Sequence, residues 1–87
     1  MVFRESGCPW CDTYESTTLE DPDIVKCINE HFLPVKISCD ERSDLCVKYG
    51  IRAVPTTIIE EGGKVVVRKE GYLTSDELMQ ILSQWCD

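Results

Sequence analysis

The opening stretch MVFRESGCPWC, residues 1–11, indicates the fold class because it joins a short apolar segment directly to a helix start. Met1 to Arg4 is a strand candidate. Cys8 stands at a helix cap position, and Pro9 stands at the first helical position, where the missing N–H of proline costs no hydrogen bond. These residues predict a strand followed by a helix that has a C-x-x-C pair, Cys8 and Cys11, at its N-terminus.

The rest of the chain alternates helices and strands. Asp21-Pro22 starts a new helix with a cap and a proline, and a capping box from Thr74 to Glu77 starts the last helix. The predicted segments are a helix from Pro9 to near Leu19, a helix from Pro22 to about residue 31, a strand over 32–37 with Leu33, Val35 and Ile37 on one face, a helix over 44–49, strands over 56–59 and 65–68, and a last helix from residue 74 with Leu78, Ile81, Leu82 and Trp85 on one face. The order β-α-β-α-β-β-α predicts an α/β fold with a central mixed sheet flanked by helices.

Composition limits the function classes. The chain has 87 residues, so we expect a single domain over residues 1–87. The formal net charge of −7 argues against nucleic acid and anionic membranes as partners, because both favour basic faces. With no apolar run near about 18 residues and no signal-peptide pattern, we expect no membrane insertion. We expect a cytoplasmic monomer, and an extracytoplasmic location if a longer precursor or parent protein exists.

The Cys8/Cys11 pair has the spacing of a redox-active dithiol. Free N–H groups and the dipole at a helix N-terminus favour the thiolate of Cys8, and only the thiolate attacks a disulfide. Cys11 lies one turn along the same face, so it can resolve a mixed disulfide. Zinc is the alternative, but the remaining cysteines supply no second C-x-x-C pair. We therefore expect redox chemistry with neither a metal nor an organic cofactor.

Four further cysteines are scattered along the chain. We expect Cys27 and Cys46 in the core, where reduced cysteine behaves as a small apolar residue. Cys39 ends a parallel strand, at the edge of the sheet where active sites lie, so a redox or regulatory role stays open for it. Cys86 is expected as an exposed thiol without a role. We predict that Cys39 and Cys46 stay reduced, because strand and helix placement favours separate environments.

With these features assembled, the chain resembles the thioredoxin family. The matching residues are Gly7 to Cys11, Asp40, residues 48–56, residues 62–64 and Gly71, and the similarity extends from Phe3 to Leu82. Residues 18–25 and 32–36, with Asn29, are similar to the branch that includes the C-terminal reductase domain of the bacterial transmembrane thiol-disulfide interchange protein. The resemblance implies a minimal thioredoxin fold.

The resemblance also implies roles for individual residues. Cys8 would be the attacking cysteine and Cys11 the buried resolving one. Pro55 would be a cis-proline facing the disulfide, and the backbone of Val54 would pair with an extended substrate segment. The other expected substrate-binding residues lie around the sulfurs: Pro9, Trp10, Ala53 and Gly71.

Two positions depart from the family pattern. The tryptophan that often precedes the first cysteine is Gly7, and the buried acid in the preceding strand aligns with Val2. The implied function is reduction of protein disulfides, with an upstream disulfide reductase that regenerates the dithiol. The alternatives are a glutaredoxin-like activity, a disulfide isomerase or oxidase, and a non-catalytic binding module.

Charge near the motif bears on the direction of electron transfer. Glu5, Asp12 and Glu15 lie close to Cys8 in sequence, and Arg4 is the only nearby base. We expect their negative field to oppose stabilisation of the thiolate. The predicted reduction potential is therefore closer to about −270 mV than to about −120 mV.

Overall fold

The computed structural model describes residues 1–86 and consists of a four-stranded mixed sheet flanked by helices. Asp87, the last residue of the predicted domain, lies outside the described residues. The strands are β1 (Val2–Arg4), β2 (Lys36–Ser38), β3 (Thr56–Glu61) and β4 (Lys64–Glu70), and the helices are α1 (Pro9–Ser16), α2 (Pro22–His31), α3 (Ser43–Lys48) and α4 (Ser75–Leu82). A short 3₁₀ helix, Thr18–Glu20, separates α1 from α2. Across residues 1–86, no helix is long and apolar enough to cross a membrane.

The sheet has the strand order β2-β1-β3-β4. β1 is parallel to β2, with Phe3 opposite Ile37, and it is antiparallel to β3. β3 and β4 form the predicted antiparallel hairpin. The α/β class and the mixed sheet are confirmed. Because β1 and β2 are parallel, the segments that follow them, leading to Cys8 and to Cys39, leave the sheet at the same edge.

The predicted helix starts are confirmed. Cys8 caps α1, and the Asp21 side chain caps α2 by accepting two backbone N–H hydrogen bonds. Thr74 and Glu77 form the capping box of α4.

The end of α1 differs from the prediction, since the helix stops at Ser16 and not near Leu19. The hydroxyl groups of Ser16 and Thr17 both bond to the carbonyl of Thr13, and that of Thr18 bonds to the carbonyl of Leu73. Such side-chain bonds to the backbone compete with continuation of a helix.

The strand predicted over 32–37 is largely wrong, because β2 covers only Lys36–Ser38. Pro34 has no N–H to offer a neighbouring strand, and β1 supplies only three residues for pairing. Of the expected apolar face, Ile37 is buried whereas Leu33 is 88% exposed.

The core has one cluster on each face of the sheet. Ile58 and Ile59 are neighbours in β3 and therefore point to opposite faces. The cluster around Ile59 contains Tyr14, Ile24, Cys27, Leu73, Leu78, Leu82 and Cys86, and the cluster around Ile58 contains Phe3, Ile37 and Cys46. Trp85 packs against the first cluster as expected, with its ring 5.5 Å from that of Phe32.

The cysteine predictions need correction, because all six cysteines are paired in disulfides. Cys39 and Cys46 are bonded, with Cα atoms 5.8 Å apart. The prediction that they stay reduced is wrong because a turn folds the end of β2 back towards α3. In this turn the N–H groups of residues 41 and 42 both donate to the Ser38 carbonyl.

The third pair is Cys27 with Cys86, again with Cα atoms 5.8 Å apart. Cys27 lies in the core, as predicted, but it is not a free thiol. Cys86 was predicted to be exposed, and it is buried. The segment after α4 packs against α2, so the C-terminal cysteine joins the same core cluster.

Candidate redox site

The C-x-x-C pair forms the N-terminus of α1. Cys8 and Cys11 are joined by a disulfide, with Cα atoms 5.2 Å apart. The Cys8 sulfur accepts a hydrogen bond from the Cys11 N–H at 3.1 Å. Gly7 has a φ of +73°, a conformation that glycine adopts without strain and a tryptophan would not. The turn at Gly7 thus leaves the Cys8 sulfur at a helix terminus, where N–H groups and the dipole favour negative charge.

The two sulfurs differ in access to solvent. Cys11 is completely buried, whereas Cys8 is partly exposed. A thiolate must be accessible to attack a disulfide on another molecule. Cys8 is therefore the sulfur that an external disulfide can reach, and Cys11 is accessible from Cys8.

The segment before β3 contacts the disulfide. The carbonyl oxygen of Val54 lies 3.9 Å from the Cys8 sulfur. The Val54–Pro55 peptide bond is cis, as predicted, and Pro55 is buried. The Gly71 N–H donates to the Pro55 carbonyl at 2.7 Å, while Ala53 is exposed beside Val54. Of the predicted residues, Val54 thus contacts Cys8 directly, Ala53 and Pro55 are its chain neighbours, and Gly71 is hydrogen-bonded to Pro55.

An aromatic surface lies next to the motif. Trp10 is 61% exposed, and its ring centroid lies 5.4 Å from that of Tyr72. Tyr72 also meets the ring of Tyr14 edge-on at 6.0 Å. Hydrogen bonding to Thr17 lowers the pKa of Tyr72, whereas burial raises the pKa of Tyr14. The sequence analysis missed Tyr72, and its position next to Gly71 is the signal that could have found it.

The acidic side chains of α1 are paired with bases. Arg4 donates from Nε to Glu15 at 2.6 Å and from Nη2 to Asp12 at 3.0 Å. Lys36 Nζ lies 2.7 Å from the other oxygen of Glu15. Burial of Glu15 opposes its ionisation, but the hydrogen bonds from Lys36 and Arg4 outweigh this, and its pKa lies below the ordinary value. The sequence had indicated Arg4 as the only base near the motif. The structure corrects this, because Lys36 also pairs with an acidic side chain of α1.

Metal binding was the other chemistry considered for the cysteines. Over residues 1–86, no group of three or more His, Cys, Asp or Glu side chains is placed to hold a metal ion.

A family model described as "Thioredoxin-like domain" matches residues 1–85. The chain belongs to the thioredoxin-like domain family. A thioredoxin of Bacillus subtilis is 23% identical to this thioredoxin-like domain over 84 residues, which are 97% of this chain and 81% of that protein. Thioredoxin 1 of a Nostoc species is 29% identical over 83 residues, covering 95% and 78%. A thioredoxin structure from Thermus thermophilus has a TM-score of 0.81 at 24% identity, covering 98% of this chain and 70% of that one.

These relatives confirm the thioredoxin family and the thioredoxin fold. They are thioredoxins, so they do not specifically support the narrower branch of the interchange protein's reductase domain. The thioredoxin-like domain is a thiol-disulfide oxidoreductase with Cys8–Cys11 as its C-x-x-C disulfide.

Proposed function

We propose that this thioredoxin-like domain reduces disulfide bonds of other proteins with the Cys8/Cys11 dithiol. The observation that carries the proposal is the pairing of a partly exposed sulfur at a helix N-terminus with a completely buried one. This arrangement supports attack by Cys8 and resolution by Cys11.

In the proposed cycle, the Cys8 thiolate attacks one sulfur of a substrate disulfide. The substrate S–S bond breaks, a mixed disulfide forms, and the other substrate sulfur leaves as a thiolate that takes up a proton. The Cys11 thiolate then attacks the Cys8 sulfur and releases the second substrate thiol. Two electrons have passed to the substrate, and an upstream disulfide reductase must return two electrons and two protons to the Cys8–Cys11 disulfide.

The surroundings of Cys8 support a protein substrate. Trp10 and Tyr72 offer apolar area, and the backbone of Val54 can pair with an extended segment that presents its disulfide to Cys8. A glutathione-dependent activity has less support, because residues 57–59, which follow the Val-Pro-Thr stretch, are buried in β3.

The location of the protein bears on its electron donor. The Cys27–Cys86 and Cys39–Cys46 disulfides lie outside the C-x-x-C pair. Structural disulfides persist in oxidising compartments and are rare in the cytosol of mesophiles. We therefore propose that the extracytoplasmic alternative is the better one, and that the upstream reductase acts there.

Insulin reduction by dithiothreitol tests the proposal. The wild type should accelerate it, and Cys8→Ser should not. Cys11→Ser should lose turnover, and after reduction and removal of dithiothreitol it should form a stable mixed disulfide with the substrate. If Cys8→Ser traps the substrate and Cys11→Ser does not, the order of attack is the reverse. A wild type without turnover would favour the binding module.

The direction of electron transfer is tested by equilibration with glutathione buffers, followed by alkylation and peptide mapping. Mapping by peptide separates the Cys8–Cys11 couple from the other two disulfides. A potential above about −180 mV would contradict a reductase and favour an oxidase or isomerase.

A further inference from the structure

Asp40 follows β2 at the same edge of the sheet from which the chain leads from β1 to the redox pair. It contacts the loop that leads to Cys8. Its Oδ2 atom accepts a hydrogen bond from the Ser6 N–H at 2.6 Å, and the Ser38 hydroxyl donates to the same oxygen at 3.4 Å. The bond from the Ser6 N–H holds the pKa of Asp40 below its ordinary value, because the ionised carboxylate is the better acceptor. Asp40 therefore connects the end of β2 to a point two residues before Cys8.

The loop formed by residues 5–7 has few other restraints. All three of its residues are exposed, so side-chain packing does not hold it in place. Gly7 lacks a side chain and has a positive φ. Within residues 1–86, the bond between Ser6 and Asp40 is the hydrogen bond that ties this loop to the turn after β2. Cys8 follows this loop directly, and on its helix side its carbonyl accepts a hydrogen bond from the Asp12 N–H at 3.1 Å.

Asp40 is itself held by its neighbour, Cys39. The Cys39 N–H donates to the Arg4 carbonyl at 2.8 Å, which fixes it to the end of β1. Its sulfur is bonded to Cys46 of α3. Cys46 is buried in the core cluster that contains Phe3 of β1. The Cys39–Cys46 disulfide thus fixes the Asp40 segment to the same strand that leads into the redox loop.

We propose that Asp40 is a positioning residue for Cys8, and that the Cys39–Cys46 disulfide keeps Asp40 in place. The inference rests on the proposed function, because it concerns the attacking sulfur of that site. Without the anchor, residues 5–7 move more freely, and the Cys8 thiolate spends less time next to the N–H groups of α1. Its reactivity then falls.

The test uses Cys11→Ser as the parent, in which Cys8 is a single free thiol and the other two disulfides remain formed without reductant. The measurement is the rate of Cys8 alkylation by iodoacetamide at pH 7 and across a pH series. Asp40→Ala in this parent should slow alkylation at pH 7 roughly two- to tenfold, the factor expected for one net hydrogen bond. The apparent pKa of the Cys8 thiol should rise.

Asp40→Asn separates position from charge. Asparagine keeps an acceptor oxygen for the Ser6 N–H and removes a negative charge, so alkylation should be at least as fast as in the parent. If the carboxylate acted only through its charge, both variants would alkylate faster than the parent. That result, or an Asp40→Ala rate equal to the parent rate, would overturn the role of Asp40.

The disulfide is tested by Cys39→Ala/Cys46→Ala in the same parent, which should slow alkylation as Asp40→Ala does. The matched control is Cys27→Ala/Cys86→Ala, which removes a disulfide from the other core cluster. Thr74→Ala, which weakens the cap of α4, is a milder control. Both controls should alkylate at the parent rate at about 15 °C, near the temperature of maximum stability of small domains.

An unchanged rate in Cys39→Ala/Cys46→Ala, or an equal slowing in the two controls, would overturn the part assigned to the disulfide. Alkylation requires no turnover, so this test is independent of insulin reduction. A wild type that fails to reduce insulin contradicts the proposed function, whereas the alkylation rates decide the role of Asp40.

Discussion

The two disulfides outside the C-x-x-C pair should stabilise the protein to different extents. The Cys27–Cys86 bond joins residues 59 positions apart, and the Cys39–Cys46 bond joins residues 7 apart. A cross-link restricts the unfolded chain more when it closes a longer loop. The loop-entropy relation gives about 4 kcal/mol for the first disulfide and about 2 kcal/mol for the second. A chain of this length has a free energy of unfolding of about 4–13 kcal/mol, so Cys27–Cys86 accounts for a large share of it.

The double variants Cys27→Ala/Cys86→Ala and Cys39→Ala/Cys46→Ala test this difference. Alanine avoids burial of a new polar group, and each variant replaces two cysteines, so the substitution itself costs a similar amount in both. The free energy of unfolding should fall by about 2 kcal/mol more in the first variant than in the second. The dependence of that free energy on urea concentration should also steepen more, because a longer stretch of unfolded chain is released.

The assay is urea unfolding without reductant, followed by tryptophan fluorescence. Trp85 packs against Phe32 in the cluster that contains Cys27, so it reports on the affected core. A loss in Cys39→Ala/Cys46→Ala equal to or larger than that in Cys27→Ala/Cys86→Ala would refute the reasoning. The disulfides would then act through contacts of the folded state rather than through the unfolded chain.

Three further predictions concern the charged and aromatic residues near the motif. Arg4→Met removes two partly exposed ion pairs, so it should lower the free energy of unfolding by only about 1 kcal/mol while raising the pKa of the Cys8 thiol. Urea titration measures the free energy of unfolding, and pH-dependent alkylation measures the pKa of the Cys8 thiol. Lys36→Met, which removes one ion pair, should raise this pKa less. An unchanged Cys8 pKa in Arg4→Met would contradict the charge argument. The pKa of Glu15 is lower in the folded state, so its stabilisation is present above its unfolded pKa of about 4.3 and is lost as the pH falls below that value. The free energy of unfolding of Glu15→Gln should therefore fall less than that of the wild type between about pH 4 and pH 2. An equal fall in both proteins would show that the Glu15 carboxylate is not a source of the acid sensitivity. Trp10→Ala should raise the KM for insulin without changing Cys8 alkylation, whereas an unchanged KM would remove Trp10 from the docking surface.

Local sequence chemistry predicted the helix starts and the redox pair. The caps at Cys8, Asp21 and Thr74 depend on side chains within three residues of the bonds that they form. The spacing of Cys8 and Cys11 likewise needs only the geometry of one helical turn. These features were predictable because every interacting group lies in one short segment.

Features that depend on distant partners were not predictable from the sequence alone. β2 is short because β1 offers only three residues for pairing. The sequence of residues 32–37 does not reveal the length of its partner strand. Cys27 meets Cys86 only after α4 has packed beside α2. Tyr72 reaches Trp10 because β4 ends beside α1. In each case the decisive contact joins elements that are far apart in the chain.

The charge pattern around α1 changes the argument about the direction of electron transfer. The sequence placed Glu5, Asp12 and Glu15 near Cys8 with Arg4 as the only nearby base, and such a negative field raises the energy of a thiolate. In the structure, Arg4 and Lys36 pair with Asp12 and Glu15, and the Cys8 sulfur accepts a hydrogen bond from the N–H of Cys11. The thiolate is thus more stabilised than the sequence indicated, and stabilisation of the reduced form makes a couple more oxidising. We therefore expect a reduction potential above about −270 mV, which Arg4→Met should lower because it restores the negative field.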